Sequence, residues 1–240
     1  MFQRSRALLA CALVACLIPA MAHAQITPYG QNFETLSPAD GGALSGDGWL
    51  VFANVFSPDG LTYYYGYGPF PAPNGTGAFC DVVTGQGGAS QGANQLVTYS
   101  DYANGDQGVG NRIETNVYQE WAVDGSNVGQ NWIFDFDAKK GNLELSSTAL
   151  AFIKTLDPNA GYAMTNFVTV DMTNIPATWS HYQISIAVDA SLAGQVLQIG
   201  FLTNASNYEG SGIFYDNINF NIDGVIPVDN SSWGELKSKF

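Results

Sequence analysis

The sequence is poor in charged residues, and this scarcity already excludes several kinds of fold. Charged residues make up 12% of the 240 residues, against about 25% in ordinary soluble domains. Because Lys and Glu usually fill exposed helix faces, their scarcity argues against a helix-rich fold. Hydrophobic residues make up 46%, so the composition also differs from that of disordered chains, which combine low hydrophobicity with high charge.

Basic residues are the scarcest charged class. The chain has 8 Lys and Arg against 21 Asp and Glu, which gives a net charge of −13. Binding to the phosphate backbone of nucleic acids needs clustered Lys and Arg, and docking on anionic lipid needs them too. We therefore expect neither nucleic acid nor an anionic membrane surface as a partner.

The first 24 residues have the pattern of a secretory signal peptide. Arg4 and Arg6 precede an apolar stretch at 7–18 that is too short to span a bilayer. The tripeptide Ala-His-Ala at 22–24 then forms a small-x-small cleavage site. We expect cleavage before Gln25 and a secreted, periplasmic or cell-surface location.

A second interpretation of the same segment is a lipoprotein signal. The residues Leu-Val-Ala-Cys at 13–16 resemble a bacterial lipobox, which would make Cys16 a lipidated N-terminus. The apolar residues that follow Cys16 favour cleavage after Ala24 instead. No stretch after residue 24 reaches the length of a membrane span.

Cysteine and histidine almost disappear once residues 1–24 are removed. Cys80 is then the sole cysteine, so no intrachain disulfide can form, and we expect a buried apolar thiol. His181 is the sole histidine, which excludes His-rich zinc sites. It begins an alternating segment, where we expect a surface histidine on a strand rather than a catalytic base.

Short runs of β-branched and aromatic residues, separated by Gly, Asn, Asp and Pro, predict an all-β fold for residues 25–222. The clearest run is 132–138, in which Asp135 and Asp137 share one face and apolar side chains share the other. We predict a jelly-roll β-sandwich of two antiparallel sheets, with long loops at 63–73, 85–92 and 102–111. The predicted strands are 49–56, 94–99, 112–123, 132–138, 143–155, 167–172, 181–188, 196–203 and 213–222.

The last residues, 223–240, form a tail with a different pattern. Trp233, Leu236 and Phe240 lie at i, i+3 and i+7, which predicts one face of a short helix, and 229–232 offers its N-cap. The helix could pack on the sandwich, or it could be a docking peptide for a partner.

Four segments, in this order, resemble the galactose-binding-like jelly-roll carbohydrate-binding modules. They are the Asn-Phe-Glu of 32–34 followed by Trp49, the segment 117–141, the segment 179–201, and the Tyr-Asp-Asn strand of 213–220. The resemblance covers most of residues 31–222 and implies binding of a polysaccharide or other glycan. Together with the predicted signal peptide, it leads us to expect a secreted carbohydrate-binding protein. It also implies a structural calcium between the first and last strands, with Glu34 and Asp216 as carboxylate ligands. These two side chains could otherwise cap turns.

Flat aromatic rings bind the apolar faces of sugars, while polar side chains bind their hydroxyl groups. The alternatives are that the tyrosines pack over one end of the sandwich and that Arg112 forms an ordinary salt bridge. The candidate sugar-binding residues are Tyr63, Tyr64, Tyr65, Tyr67, Arg112, Gln119, Trp121 and Tyr208.

Two further functions fit the same fold. A jelly-roll glycoside hydrolase or polysaccharide lyase would place His181, or the pair Asp135 and Asp137, in a cleft beside Arg112. No spacing in the sequence specifies such a site, so we favour a protein without catalysis. A matrix or adhesion protein would have neither a catalytic cleft nor a row of exposed aromatic rings.

Overall fold

Strands dominate the computed structural model, which describes residues 24–224. They form two antiparallel sheets packed as a β-sandwich, so the predicted fold class is confirmed. The predicted signal peptide, except Ala24, and the predicted helix in the tail lie outside the described residues. The one α-helix of the described part is α1, Ala43–Gly46. The strands are β1 Tyr29–Gln31, β2 Leu50–Phe56, β3 Tyr63–Pro71, β4 Ala78–Thr84, β5 Asn94–Asp101, β6 Arg112–Ala122, β7 Asn131–Lys140, β8 Thr148–Asp157, β9 Ala163–Asp171, β10 Ser180–Ala187, β11 Val196–Ala205 and β12 Ile213–Ile222.

The strand order is that of a jelly roll. Sheet A has the order β3-β2-β6-β11-β8-β9, and sheet B has the order β10-β7-β12-β5-β4 with β1 paired to β12. The last eight strands form the double Greek key, with β6, β11, β8 and β9 in sheet A and β5, β12, β7 and β10 in sheet B. Strands β2 and β3 extend sheet A beyond β6, and β4 extends sheet B beyond β5. Strand β12 pairs with β5 over Ile213–Tyr215 and with β1 over Ile218–Phe220. A register shift against β7 lies between these two stretches, at 216–219.

Alternation along each strand builds the core between the sheets. In β7 the side chains of Trp132, Phe134 and Phe136 are almost fully buried, whereas Asp135 and Asp137 lie on the other face, as predicted. Aromatic rings dominate this core. Phe201 of sheet A stacks on Tyr215 of sheet B with 3.5 Å between ring centroids, and this contact joins the two sheets.

Two edge strands differ from the sequence prediction. The segment Tyr63–Pro71 is strand β3, at the edge of sheet A, and not a loop. Its Gly and Pro residues are tolerated because an edge strand forms a ladder on one side only. Strand β4 at the edge of sheet B also escaped prediction. The stretches 85–92 and 102–111 do lie outside the strands, and 105–109 form a short 3-10 helix.

The single cysteine of the described part, Cys80, is fully buried in the core, as expected. Burial raises the pKa of its thiol well above the ordinary value. Within residues 24–224, no helix has the length and apolar character needed to cross a membrane.

Candidate functional site

The side of sheet A that faces away from sheet B carries a second apolar cluster, and we call this side the outer face. Tyr118, Phe152 and Leu202 form the cluster, with Leu50, Phe52 and Leu150 packed against it. Strand register arranges these side chains in transverse rows. From β2 or β6 towards β9 the rows are Phe52–Asn116–Leu202–Leu150, Tyr118–Gly200–Phe152–Thr169 and Glu120–Gln198–Lys154–Phe167.

Gly200 occupies the middle of these rows and cannot carry a side chain. A Cβ atom on this residue would lie 2.2 Å from the carbonyl oxygen of Val117 and 2.8 Å from the Cβ of Tyr118. These distances are far below van der Waals contact, so only glycine lets β6 and β11 approach this closely. The outer face therefore depends on a glycine inside a strand in which every residue except Asn204 is buried.

Lys154 places a cation among the aromatic rings of the outer face. Its Nζ lies 4.8 Å from the ring centroid of Phe152 and 6.0 Å from that of Tyr118, and it donates to Asn116 Oδ1 at 3.3 Å. Burial lowers the pKa of Lys154 to about 8, although the nearby charges of Glu114 and Glu120 raise it. The ammonium group is thus held on this face at a cost in solvation.

Two amide oxygens on the outward side of β11 have unused hydrogen-bonding capacity. Gln198 Oε1 and Asn204 Oδ1 are buried and have no hydrogen-bond partner among residues 24–224. The amide nitrogen of Gln198 donates to Glu120 Oε2 at 2.5 Å, which fixes the orientation of that side chain. A buried acceptor without a donor costs about 1–3 kcal/mol, and a hydroxyl group from a ligand would remove this cost.

Aromatic side chains lie at both edges of the outer face. On one edge, the rings of Tyr63 and Phe56 meet edge to face at 5.7 Å, and Phe56 pairs with Arg112 in the next strand. Arg112 donates from Nε to the carbonyl oxygen of Pro58 at 3.1 Å. On the other edge, Phe167 is 40% exposed, so its ring is open to a ligand.

The other predicted tyrosines divide between surface and packing. Tyr64 is exposed, as is Tyr208 in the loop after β11. The hydroxyl groups of Tyr65 and Tyr67 donate to Asp106 at 2.5 Å and to Asp101 at 2.7 Å. These two hydrogen bonds hold β3 against the 101–111 segment. Tyr65 and Tyr67 are therefore engaged in packing, which resembles the predicted alternative of tyrosines that pack over one end of the sandwich.

Gln119 and Trp121, also predicted as sugar contacts, point between the sheets. Trp121 is 7% exposed and stacks on Phe220 at 5.4 Å. Gln119 donates to Tyr29 Oη at 3.2 Å and to the carbonyl oxygen of Asp47 at 2.9 Å. The residues of β6 that alternate with these, Asn116 and Tyr118, point to the outer face instead.

Glu34 and Asp216 lie near each other at the point along β12 where its hydrogen-bonded neighbour changes from β5 to β1. Glu34 Oε1 accepts the N–H groups of Ala93 and Asn94, both at 2.8 Å. Asp216 is buried, and its Oδ2 has no hydrogen-bond partner of good geometry among residues 24–224. Burial, with the charges of Glu34 and Asp137, raises the pKa of Asp216 to about 7.

These features fit a divalent cation, which would satisfy the orphaned oxygen and offset the repulsion between the carboxylates. In the described part of the chain, no three His, Cys, Asp or Glu side chains form a metal-binding group. Any further ligands would therefore be other oxygens, such as backbone carbonyls.

His181 lies in a separate depression of about 850 Å³ on the outward side of sheet B. Its Nε2 is 3.3 Å from Asp135 Oδ1, and its Nδ1 is 3.3 Å from Asp137 Oδ1. Gln183 donates to Asp135 at 2.8 Å, and Asn217 donates to Asp137 at 2.8 Å. The depression thus holds all three groups predicted for a catalytic cleft, without Arg112, which lies on sheet A.

Sequence reasoning missed the residues in the middle of the outer face. Asn116, Tyr118, Phe152, Lys154 and Gln198 were assigned to strands but not to a site. The detectable signal was polar or cationic side chains on the same strand face as aromatic ones, as in Phe152 and Lys154. That signal has meaning only after strand pairing brings β6, β11 and β8 together.

Comparison with known proteins gives similarity of structure only. No family model and no curated protein matches the chain. A solved family 16 carbohydrate-binding module is 14% identical with a TM-score of 0.39, over 60% of this chain and 86% of that one. A cyclase from Fischerella sp. TAU is also 14% identical, with a TM-score of 0.45, over 83% of this chain and all of that one (100%).

The tailspike protein 4 domain of bacteriophage CBA120 is likewise 14% identical, with a TM-score of 0.46 over 78% of this chain. The chain spans 21% of that protein's length. The predicted resemblance to carbohydrate-binding modules is confirmed as a resemblance, because such modules are among the similar structures. It assigns no function, since the identities and TM-scores are low.

Proposed function

We propose that the protein is a secreted, non-catalytic binder of polysaccharide, and that the sugar chain lies across the outer face of sheet A. The observation that carries this proposal is the pair of buried acceptors on the outward side of β11. Gln198 Oε1 lies in the row next to the rings of Tyr118 and Phe152, and Asn204 Oδ1 lies two rows from them on the other side. Sugar hydroxyls would donate to these oxygens, and the apolar sugar faces would contact the aromatic edges.

The proposed contact surface runs between the two aromatic edges of sheet A. Tyr63 and Arg112 border it on one side, and Phe167 borders it on the other. Lys154 and Asn116 would supply hydrogen-bond donors to ring and hydroxyl oxygens in the middle. Tyr64 and Tyr208 are available at the periphery, whereas Gln119 and Trp121 would act by supporting β6 from within.

Binding to a panel of soluble and insoluble polysaccharides tests the proposal. The informative variants are Asn204→Leu and Gln198→Leu, which remove the orphaned oxygens while conserving side-chain size. We expect each variant to weaken retention at least tenfold. Asn204→Leu should not lower the free energy of unfolding, because no satisfied acceptor is lost, whereas Gln198→Leu also loses the donor to Glu120 and should lower it by about 1 kcal/mol. Gln183→Leu on sheet B is the matched control and should bind as the wild type does. Failure of the wild type to bind any glycan would refute the proposal and favour a matrix or adhesion role.

The proposal includes a structural calcium held by Glu34 and Asp216. The ion would supply positive charge at the point where β12 changes partners, and Asp216 Oδ2 would become a ligand. We expect a chelator to lower the melting temperature of the wild type but not that of Asp216→Asn. An unchanged melting temperature of the wild type after chelation would refute the calcium assignment.

A second candidate function is proton transfer on a bound sugar in the depression around His181. The convergence of Asp135 and Asp137 on one imidazole favours this function, since the group could accept or donate a proton. Hydrolysis would release reducing ends, and elimination would release unsaturated ends. Absence of both products from every polysaccharide that binds, or equal product from His181→Ala, would exclude this candidate.

A further inference from the structure

A depression of about 750 Å³ lies on the outward side of sheet B and shares no lining residue with the depression of His181. Strands β5, β7 and β12 form its floor, where Phe214 pairs with Val97 on one side and Lys139 on the other. The Gly-rich segment 85–92 separates it from the depression of His181. Its lining also includes Thr84, Gln86, Tyr99, Tyr102, Lys140 and Asn142.

The charge of this depression is opposite to that of the chain. None of its lining residues is acidic, although the chain has 21 Asp and Glu. Two of the four Lys and Arg residues in the described part of the chain, Lys139 and Lys140, line it. Asp81 pairs with the lining residue Val97 and accepts from Tyr99 Oη, and Glu144 and Glu209 lie near Tyr102.

Lys139 is a fixed positive charge in the wall. Its Nζ lies 5.3 Å from the ring centroid of Trp179 and 5.2 Å from that of Phe214, and it donates to the carbonyl oxygen of Gln86 at 2.6 Å. Burial lowers the pKa of this ammonium group. Neither Lys139 nor Lys140 is paired with a carboxylate among residues 24–224, and the Lys140 side chain has no partner there.

Aromatic rings accompany these cations. Phe214 is partly exposed, and the rings of Tyr99 and Tyr102 stack on each other at 5.8 Å with 18° between their planes. Ring surfaces of this kind bind the apolar side of a pyranose, and an ammonium group binds a carboxylate or sulfate through a charge-assisted hydrogen bond.

We propose that this depression is a second binding site, which takes a sugar ring carrying a negative group. The ring lies on Phe214 and Tyr99, and the negative group lies between Lys139 and Lys140. Thr84 and Asn142 are placed for hydroxyl groups. Because the site is on sheet B, it does not depend on the proposed binding at sheet A, and one molecule could hold two glycan segments.

Titration of the full-length protein with three monosaccharides, followed by NMR or calorimetry, tests the proposal. Glucuronate and glucose 6-sulfate distinguish the two possible anionic groups, and glucose is the neutral control. We expect at least one anionic sugar to bind about tenfold more tightly than glucose, and Lys140→Gln to remove most of this difference. Phe214→Leu should weaken binding of the ring without changing the preference for charge.

Asn204→Leu, which alters sheet A, should leave this anion preference unchanged. Equal affinity for glucose and both anionic sugars would overturn the proposal, and so would an unchanged preference in Lys140→Gln. Loss of polysaccharide retention in Asn204→Leu alone, with the preference intact, would show that the two sites are separate.

Discussion

Replacing Lys154 by Met should stabilise the protein, although it removes a residue from the proposed sugar-binding face. Burial lowers the pKa of Lys154 from its ordinary value of 10.5 to about 8. This difference of about 2.5 corresponds to about 3 kcal/mol spent on keeping the ammonium group charged in the folded state at pH 7. Lost contacts with Asn116, Glu114 and Glu120 offset part of the gain, so we expect a net stabilisation of about 1–2 kcal/mol.

The pH dependence separates this effect from general packing changes. Below pH 8 the lysine is charged in both the folded and the unfolded state, and the full cost is present. Between pH 8 and 10.5 the folded state binds fewer protons than the unfolded state, so wild-type stability rises with pH. From pH 7 to 9.5 the wild type should therefore gain about 2 kcal/mol relative to Lys154→Met.

Urea unfolding of the two proteins at several pH values measures this gain. Lys154→Arg is the matched control, because its guanidinium stays charged throughout and should remain less stable than the Met variant at every pH. Parallel stability curves for the wild type and Lys154→Met between pH 7 and 9.5 would refute the reasoning. Reduced glycan binding by the more stable Met variant would explain why the chain retains a costly charge.

Three further predictions concern the fold beneath the site. Gly200→Ala should lower the free energy of unfolding by about 3 kcal/mol, because its Cβ would lie 2.2 Å from Val117 O; Gly125→Ala, whose Cβ meets nothing within 4 Å, should change it little. Trp121→Ala should lower the free energy of unfolding, measured with a chemical denaturant, by about 3–5 kcal/mol, because its core packing is lost. The folded fraction should bind glycan as the wild type does. Loss of glycan binding with unchanged stability would contradict the interior role of Trp121. Thermal scans of Asp216→Asn should be insensitive to added calcium, whereas a calcium-dependent shift would place the ion elsewhere.

The sequence was sufficient for features that depend on local alternation. The pattern of 132–138 predicted which side chains of β7 face inward, and the same reasoning placed most of the other strands. It failed for β3, whose Tyr, Gly and Pro residues do not alternate, because edge strands need only one hydrogen-bonded neighbour. The burial of Cys80 was predicted because a cysteine without a disulfide partner behaves as a small apolar residue.

The candidate site was predicted less well, because it depends on strands distant in sequence. Tyr63 and Arg112 were identified as candidates, and pairing of β3, β2 and β6 does bring them to one face. The local signal at Lys154, a cation on the same strand face as Phe152, could not be interpreted alone, and Gln198 gave none, since their meaning comes from register across β6, β11 and β8. Trp121 shows the opposite error, because an aromatic residue on a strand is as suited to a core as to a ligand.

An NMR titration with a polysaccharide fragment that the protein retains would test the central claim most directly. The side-chain amide signals of Gln198 and Asn204 and the backbone signal of Gly200 report on the middle of the outer face. We predict that these signals shift first and saturate together. Shifts confined to sheet B or to the loops, with these three signals unchanged, would contradict binding at the outer face of sheet A.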